Sequence, residues 1–295
     1  MKKITDRVKQ GKILVSDGAW GTFLHAKGLK PGQCPELWNI EHADEVFDIA
    51  QSYIDAGADM VETNSFGGSS FKLVHYGLAD RASELNQAAA VISRKAAGDK
   101  FVLGSVGPTG KILMMGEVTP EEVYESFKEQ VIALEKGGAD AIIIETFTDL
   151  DEARLAIRAA KENTSIEVIC TMTFEKTLQG EYRSMMGVSP TEMMQELVPE
   201  GVDIIGANCG NGIEGMIEIV KEIRSCNAEI PVLVHANAGI PIYHEGTTLF
   251  PESPEQTAGF VKAIIDAGVN IIGGCCGTTP EHIRQIARVV SDFNK

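Results

Sequence analysis

The chain has 295 residues, 44% of them hydrophobic, and a formal net charge of −16. That apolar content can bury a large core, while the charge opposes binding to phosphate backbones or anionic membranes and leaves small molecules and proteins as partners. No apolar run approaches the ~20 residues that span a bilayer, and six cysteines with no apolar segment after Met1-Lys2-Lys3 predict a cytoplasmic protein without a disulfide framework.

In chain order, apolar β-branched runs fall at 13–16, 60–63, 101–105, 141–145, 168–174, 204–208, 232–237 and 271–274. Helical periodicity fills the intervals, at 43–56, 80–97, 120–136, 150–161, 190–197, 213–223, 254–267 and 280–291. Thr119-Pro120, Ser189-Pro190 and Thr279-Pro280 set a hydroxyl at the N-cap and proline at the first helical position. Gly57-Ala58-Asp59, Gly138-Ala139-Asp140 and Gly268-Val269-Asn270 each set glycine after a helix and a polar residue before a strand, as a short αβ turn requires. Eight such alternations predict an α/β fold, a (β/α)8 TIM-type barrel forming one domain over residues 1–295. A doubly wound open sheet is the competing architecture, but no Gly-x-Gly-x-x-Gly follows the first strand to hold a dinucleotide.

Barrel enzymes carry their chemistry on the C-terminal ends of the strands. The polar residues there are Asp17, Glu62-Thr63-Asn64, Ser105, Glu145-Thr146, Thr171, Thr173, Asn208-Cys209, His235, Asn237 and Cys275-Cys276. Glu62 and Glu145 end apolar strands, where a charge is uncommon without a partner, and both are candidates for function. His235, after Val232-Leu233-Val234, reads as a satisfied core histidine, and His42 and His75 as surface residues.

Cys209, Cys275 and Cys276 end the sixth and eighth runs, so three thiols can meet in space. Adjacent Cys275 and Cys276 share a target only if the flanking glycines bend the chain out of strand geometry. Three soft ligands beside a vacant position are the donor set of a catalytic zinc. The alternative is three unconnected buried thiols. Cys34, Cys170 and Cys226 form no spaced motif, and a phosphate site at Gly239, Gly273 and Gly277 would sit among thiolates that repel anions.

In order and over nearly the whole chain, several motifs resemble the homocysteine S-methyltransferase family. They are Asp17-Gly18-Ala19-Trp20-Gly21-Thr22, Glu62-Thr63-Asn64-Ser65-Phe66, Gly104-Ser105-Val106-Gly107-Pro108, Glu145-Thr146-Phe147, Asn208-Cys209 and Gly273-Gly274-Cys275-Cys276-Gly277-Thr278-Thr279-Pro280-Glu281-His282-Ile283. The likeness is closest to the homocysteine-binding module of the cobalamin-dependent members. It implies one zinc per chain on Cys209, Cys275 and Cys276, with Asn237 filling the fourth position when substrate is absent. It also implies Asp17 and Glu145 on the amino group of homocysteine and backbone amides around Gly18 and Ala19 on its carboxylate. Thr63, Asn64 and Ser105 complete the expected substrate-binding set. Trp20 departs from the Met or Leu frequent in the family, and Ala236 from the proline that often precedes Asn-Ala-Gly.

The implied reaction is methyl transfer to the homocysteine thiol, giving methionine. The sequence leaves no room for folate, corrinoid or activation modules, so the donor is expected from outside. A separate methylated corrinoid protein is the first expectation, and S-methylmethionine or a related sulfonium the second. The other readings are a non-catalytic zinc-binding subunit of a methyltransferase complex and an unrelated barrel lyase. The pairing of Asp17 and Glu145 with three cysteines argues against the subunit.

Overall fold

The computed structural model describes residues 3–244 and 247–295; Met1 and Lys2, read above for the absence of a leader, lie outside them. Eight parallel strands run as β1 Leu14–Val15, β2 Met60–Glu62, β3 Phe101–Val106, β4 Ala141–Phe147, β5 Glu167–Met172, β6 Ile204–Gly212, β7 Val232–Asn237 and β8 Ile271–Gly274. They pair in the order β1-β8-β7-β6-β5-β4-β3-β2. The two ends meet where Asp59 N–H donates to Val15 O at 2.7 Å and Val15 N–H donates to Asp59 Oδ2 at 3.0 Å. The ring is thus nearly closed, and it is the predicted TIM-type barrel, with strand and helix bounds within a few residues of the periodic runs.

Period two divides the strand side chains between two cores. Leu14, Met60, Phe101, Leu103, Ala141, Ile143, Ile169, Ile204, Leu233 and Ile271 fill the interior. Their neighbours Val15, Val61, Val102, Ile142, Val168, Ile205, Val232 and Ile272 pack outward against the helices. Helix α1, Ile4–Lys9, plugs the N-terminal end with Ile4. There Glu167 accepts the Ile4 and Thr5 amides at 2.6 and 3.3 Å, so the unpaired first N–H groups of the helix satisfy a buried carboxylate.

The repeated αβ turns tie each strand to the next. Gly57, Gly138 and Gly268 have φ of 104°, 104° and 108°, a region strained for other residues. The polar residue two positions on then accepts an N–H from a neighbouring strand, Asp59 from Val15, Asp140 from Val102 at 2.8 Å and Asn270 from Val232 at 2.9 Å. Arg94 and Arg224 repeat a second device, each donating to the turn glycine's carbonyl and pairing with its polar residue. Thr119 and Ser189 form capping boxes with Glu122 and Glu192.

Periodicity did not mark the short helices Gly21–Lys27, Trp38–Glu41 and Ser70–Leu73, nor two hairpins, Glu175–Lys176 with Tyr182–Arg183 and Ile242–His244 with Thr247–Leu249. They are too short to carry a pattern, and they lie in loops. Among the described residues, no helix is long and apolar enough to cross a membrane.

Candidate active site at the barrel mouth

Toward the C-terminal ends of the strands the inward side chains stop being aliphatic. By alternation the inward positions become Ser16, Glu62, Ser105, Glu145, Thr171, Asn208, His235 and Gly273. A cavity of about 280 Å³ opens here, walled by Cys209, Cys275 and Cys276, by the acids Glu36, Glu62 and Glu145, and by Trp20 and Phe66.

The three sulfurs lie within 4.8 Å of one another. Cys209 reaches this point with φ of 59°, just where β6 shifts register against β7 between Asn208 and Gly212. Past β8 the chain is bent and pinned. Cys275 N–H donates to Ala236 O at 2.7 Å, Cys276 O accepts Ala238 N–H at 3.0 Å, and Thr278 Oγ1 donates to Cys275 O at 2.7 Å. Glycine is required at 274, because a Cβ there would come within 2.3 Å of Thr278 Oγ1. The expected bend is therefore present, and it lets adjacent cysteines serve one point.

Among the described residues only Thr146 and Cys209 are non-glycine residues with positive φ. Asn208 holds both. It accepts the Thr146 amide at 2.8 Å and donates Nδ2 to Thr146 Oγ1 at 2.7 Å, and it precedes Cys209 directly. Such strain persists where surrounding contacts over-determine it, and it concentrates at functional sites.

Hydrogen bonds from Cys275 and Cys276 pull the Cys209 thiol down to about 3, with a smaller pull from Asn237. The same bonds push Cys276 up to about 12 and raise Cys275 as well. The trio thus favours one thiolate flanked by two donors. Asn237 Oδ1 is buried and has no hydrogen-bond partner. Three sulfurs converging on one point, with the Asn237 side chain bonded to Cys209, fit a tetrahedral, sulfur-preferring metal ion.

Of the expected substrate residues, Gly18, Ala19, Thr63, Asn64, Ser105 and Glu145 line the cavity. Asp17 lies behind the wall. Its carboxylate accepts Ser16 Oγ at 3.2 Å, Trp20 Nε1 at 2.9 Å and Glu62 N–H at 2.8 Å. Trp20, the departure from the family, thus caps Asp17. Ala236, the other departure, packs outward from β7.

Ser105 Oγ donates to Glu145 Oε1 at 2.5 Å, and Ser105 N–H to Thr63 Oγ1 at 2.9 Å. Asn64 Nδ2 is committed to Pro35 O and Asn39 Oδ1, and Ala19 N–H to Thr278 Oγ1 at 3.1 Å. Burial raises the carboxyls of Asp17, Glu62 and Glu145 above the ordinary range, well above it for the two glutamates.

His235 corrects the core reading. It lines the cavity with Nδ1 3.2 Å from Glu62 Oε1, and burial lowers its pKa, which favours the neutral ring. Its signal was available, since alternation puts Leu233, His235 and Asn237 on one face. Glu36 was missed too. It sits in a loop, where Gly67 N–H reaches its Oε1 at 2.7 Å, and no period marks it.

Buried acids, a strained cysteine and a cluster of thiols at the C-terminal mouth of a TIM barrel mark the molecule as an enzyme of that fold. The homocysteine S-methyltransferase family profile matches residues 14–290, and the chain belongs to that family. A methionine synthase of Mycobacterium tuberculosis is 34% identical over 303 residues, and one of Mycobacterium leprae is 34% identical over 304. Each match covers 96% of this chain and 25% of the relative, so the chain spans about a quarter of the length of these curated relatives. The homocysteine methyltransferase MmuM from Escherichia coli has the same fold in its oxidized and metallated forms, both with a TM-score of 0.79. The sequence identities are 23% and 22%, over 98% and 96% of this chain and 100% and 98% of those chains.

Proposed function

We propose that residues 1–295 act as one homocysteine-binding barrel, a zinc-dependent methyltransferase that methylates the homocysteine thiol to give methionine. The observation that carries this reading is the approach of the Cys209, Cys275 and Cys276 sulfurs to within 4.8 Å on the wall of a cavity that also carries Glu36, Glu62 and Glu145. These three residues would hold one zinc, with Asn237 Oδ1 as a weak ligand when substrate is absent. Zinc bound there would keep the homocysteine sulfur as a thiolate at neutral pH, where a free thiol of pKa about 8.5 is mostly protonated.

The chain's own residues place the rest of the substrate. Glu145, aimed by Ser105, receives the amino group, and no lysine or arginine lines the cavity to compete for it. The Gly18-Ala19 turn, fixed by Tyr53 Oη on Ala19 O at 2.7 Å and by Thr278 on Ala19 N–H, frames the substrate carboxylate. Thr63 and Asn64 hold the adjoining wall. Fixing the amino acid at its head lets the sulfur meet the donor in one orientation.

Glu145→Gln should weaken homocysteine binding by about tenfold or more, the value of a charge-assisted hydrogen bond, and leave the metal in place. Calorimetry on metal-loaded protein measures this. Parent-like affinity in the variant would remove Glu145 from the substrate site.

The favoured donor is a methylcorrinoid carried by a separate protein that docks on the mouth. Two observations support it. Exposed apolar residues Ile112, Met114, Leu178, Met185, Ile240 and Tyr243 stand on the loops that follow the strands. The curated relatives, named methionine synthase, are about four times as long as this chain. A small sulfonium such as S-methylmethionine is the second reading, favoured by the acidic wall, which attracts cations.

A further inference from the structure

Backbone strain at the mouth falls beside the two halves of the site. Thr146, with φ of 65°, follows Glu145, and Cys209, with φ of 59°, belongs to the sulfur trio. Every other positive φ among the described residues is on a glycine, which adopts it freely. Each strained residue also sits where a strand changes register with its neighbour, β4 against β5 between Ile144 and Phe147, and β6 against β7 between Asn208 and Gly212.

β5 lies between β4 and β6, yet one side chain from β6 reaches both. Asn208 is fully buried and stands outside the cavity wall. Its Oδ1 accepts the Thr146 N–H and the Thr171 hydroxyl, both at 2.8 Å, and its Nδ2 donates to Thr146 Oγ1 at 2.7 Å. Thr173, just past β5, extends the tie: its hydroxyl donates to Asn208 O at 2.9 Å and its N–H to Phe147 O at 3.0 Å. A positive φ on a β-branched residue persists only where its surroundings over-determine it, and here one carboxamide does so.

We propose that Asn208 is a positioning residue that fixes the spacing between Glu145, which holds the head of the substrate, and the sulfur trio that receives its thiol. The inference rests on the homocysteine reading above and adds to it a residue outside the cavity wall. Homocysteine has rotatable bonds between its amino-bearing carbon and its sulfur, so both ends are held at once only if the two rims stand at one separation. Setting that separation in advance makes the second contact an intramolecular step. Glu145 stays aimed without the clamp, because Ser105 Oγ holds its Oε1. Asn208 therefore acts on the pairing of the two contacts more than on either alone.

The test compares homocysteine with 2-aminobutanoate, which has the same head and no sulfur, by competition calorimetry on zinc-loaded protein. The preference for homocysteine reads the sulfur contact. Asn208→Ala should cut that preference by about tenfold or more, as a small misplacement of a reacting group does. Affinity for 2-aminobutanoate and one zinc per chain should be kept. Thr171→Val removes one bond to Asn208 Oδ1 and leaves the amide itself, so it should shift the preference the same way by less; it serves if the alanine variant does not fold. Thr171→Ser, which keeps the hydroxyl, should match the parent.

An unaltered preference in Thr171→Val, or in a folded Asn208→Ala, would overturn the clamp. So would an equal loss of both ligands, or loss of the zinc, since Asn208 would then support the rim or the metal as such and not their spacing. A parent that binds 2-aminobutanoate as tightly as homocysteine would overturn the homocysteine reading itself.

Discussion

Cys276→Ala should strip most of the zinc from the protein and lower methyl transfer more than about 100-fold, beyond the loss seen when even a supporting partner of a metal ligand is changed. Cys209→Ala and Cys275→Ala should do the same. The three sulfurs are mutually within 4.8 Å, so losing any one leaves two sulfurs and a weak oxygen, too few to hold the ion against a chelator. The fold should survive, because all three residues are partly exposed and none is packed in either core. Cys226, exposed at the end of helix Ile213–Cys226, supplies the control, and Cys226→Ala should retain one zinc per chain. Full zinc occupancy in Cys276→Ala, measured by elemental analysis after dialysis, would dismiss the trio as the metal centre.

The second large effect is on the barrel itself. Gly206 pairs with Leu233 in the β6–β7 register, and a Cβ on it would lie 1.7 Å from Leu233 O. The obstacle is backbone, so no side chain can rotate away. Gly206→Ala must push β6 off β7, and Asn208 and Cys209 follow only two and three residues later. The expected cost is about 3 kcal/mol or more, at or above the upper end for overpacked sites, with weaker zinc binding alongside it. Urea unfolding measures the first and metal titration the second. A parent-like unfolding midpoint would show that the register beneath Cys209 is not as described.

What the sequence made legible follows from which signals are local. Buried parallel strands such as 141–145 read as unbroken apolar runs, and helices such as 120–136 announce themselves by caps and period, so the barrel could be counted out. The sulfur trio was legible because barrel topology sends the end of every strand to one rim. Asp17 and Glu62 were harder to separate. Both are acids at strand ends, and Asp17 lies two residues past β1, which is only two residues long, so the sequence pattern there is weak. Its position is settled by tertiary hydrogen bonds from Trp20 and from the Glu62 amide. His235 was legible by period two, but a lone histidine behind three aliphatic residues looked like core. Glu36 and the two mouth hairpins depend on loop packing, which no short pattern encodes.

The reading stands or falls most directly on methionine formation by the zinc-loaded chain from homocysteine, with free methylcobalamin, a methylated corrinoid protein and S-methylmethionine supplied in turn. Methionine should form with a corrinoid donor, fastest from the carrier protein, and should vanish in Cys276→Ala. Formation from S-methylmethionine alone would reverse the choice of donor and leave the zinc-thiolate site standing. Homocysteine bound at the site with no methionine from any of the three donors would contradict the catalytic reading and leave a zinc-binding subunit in its place.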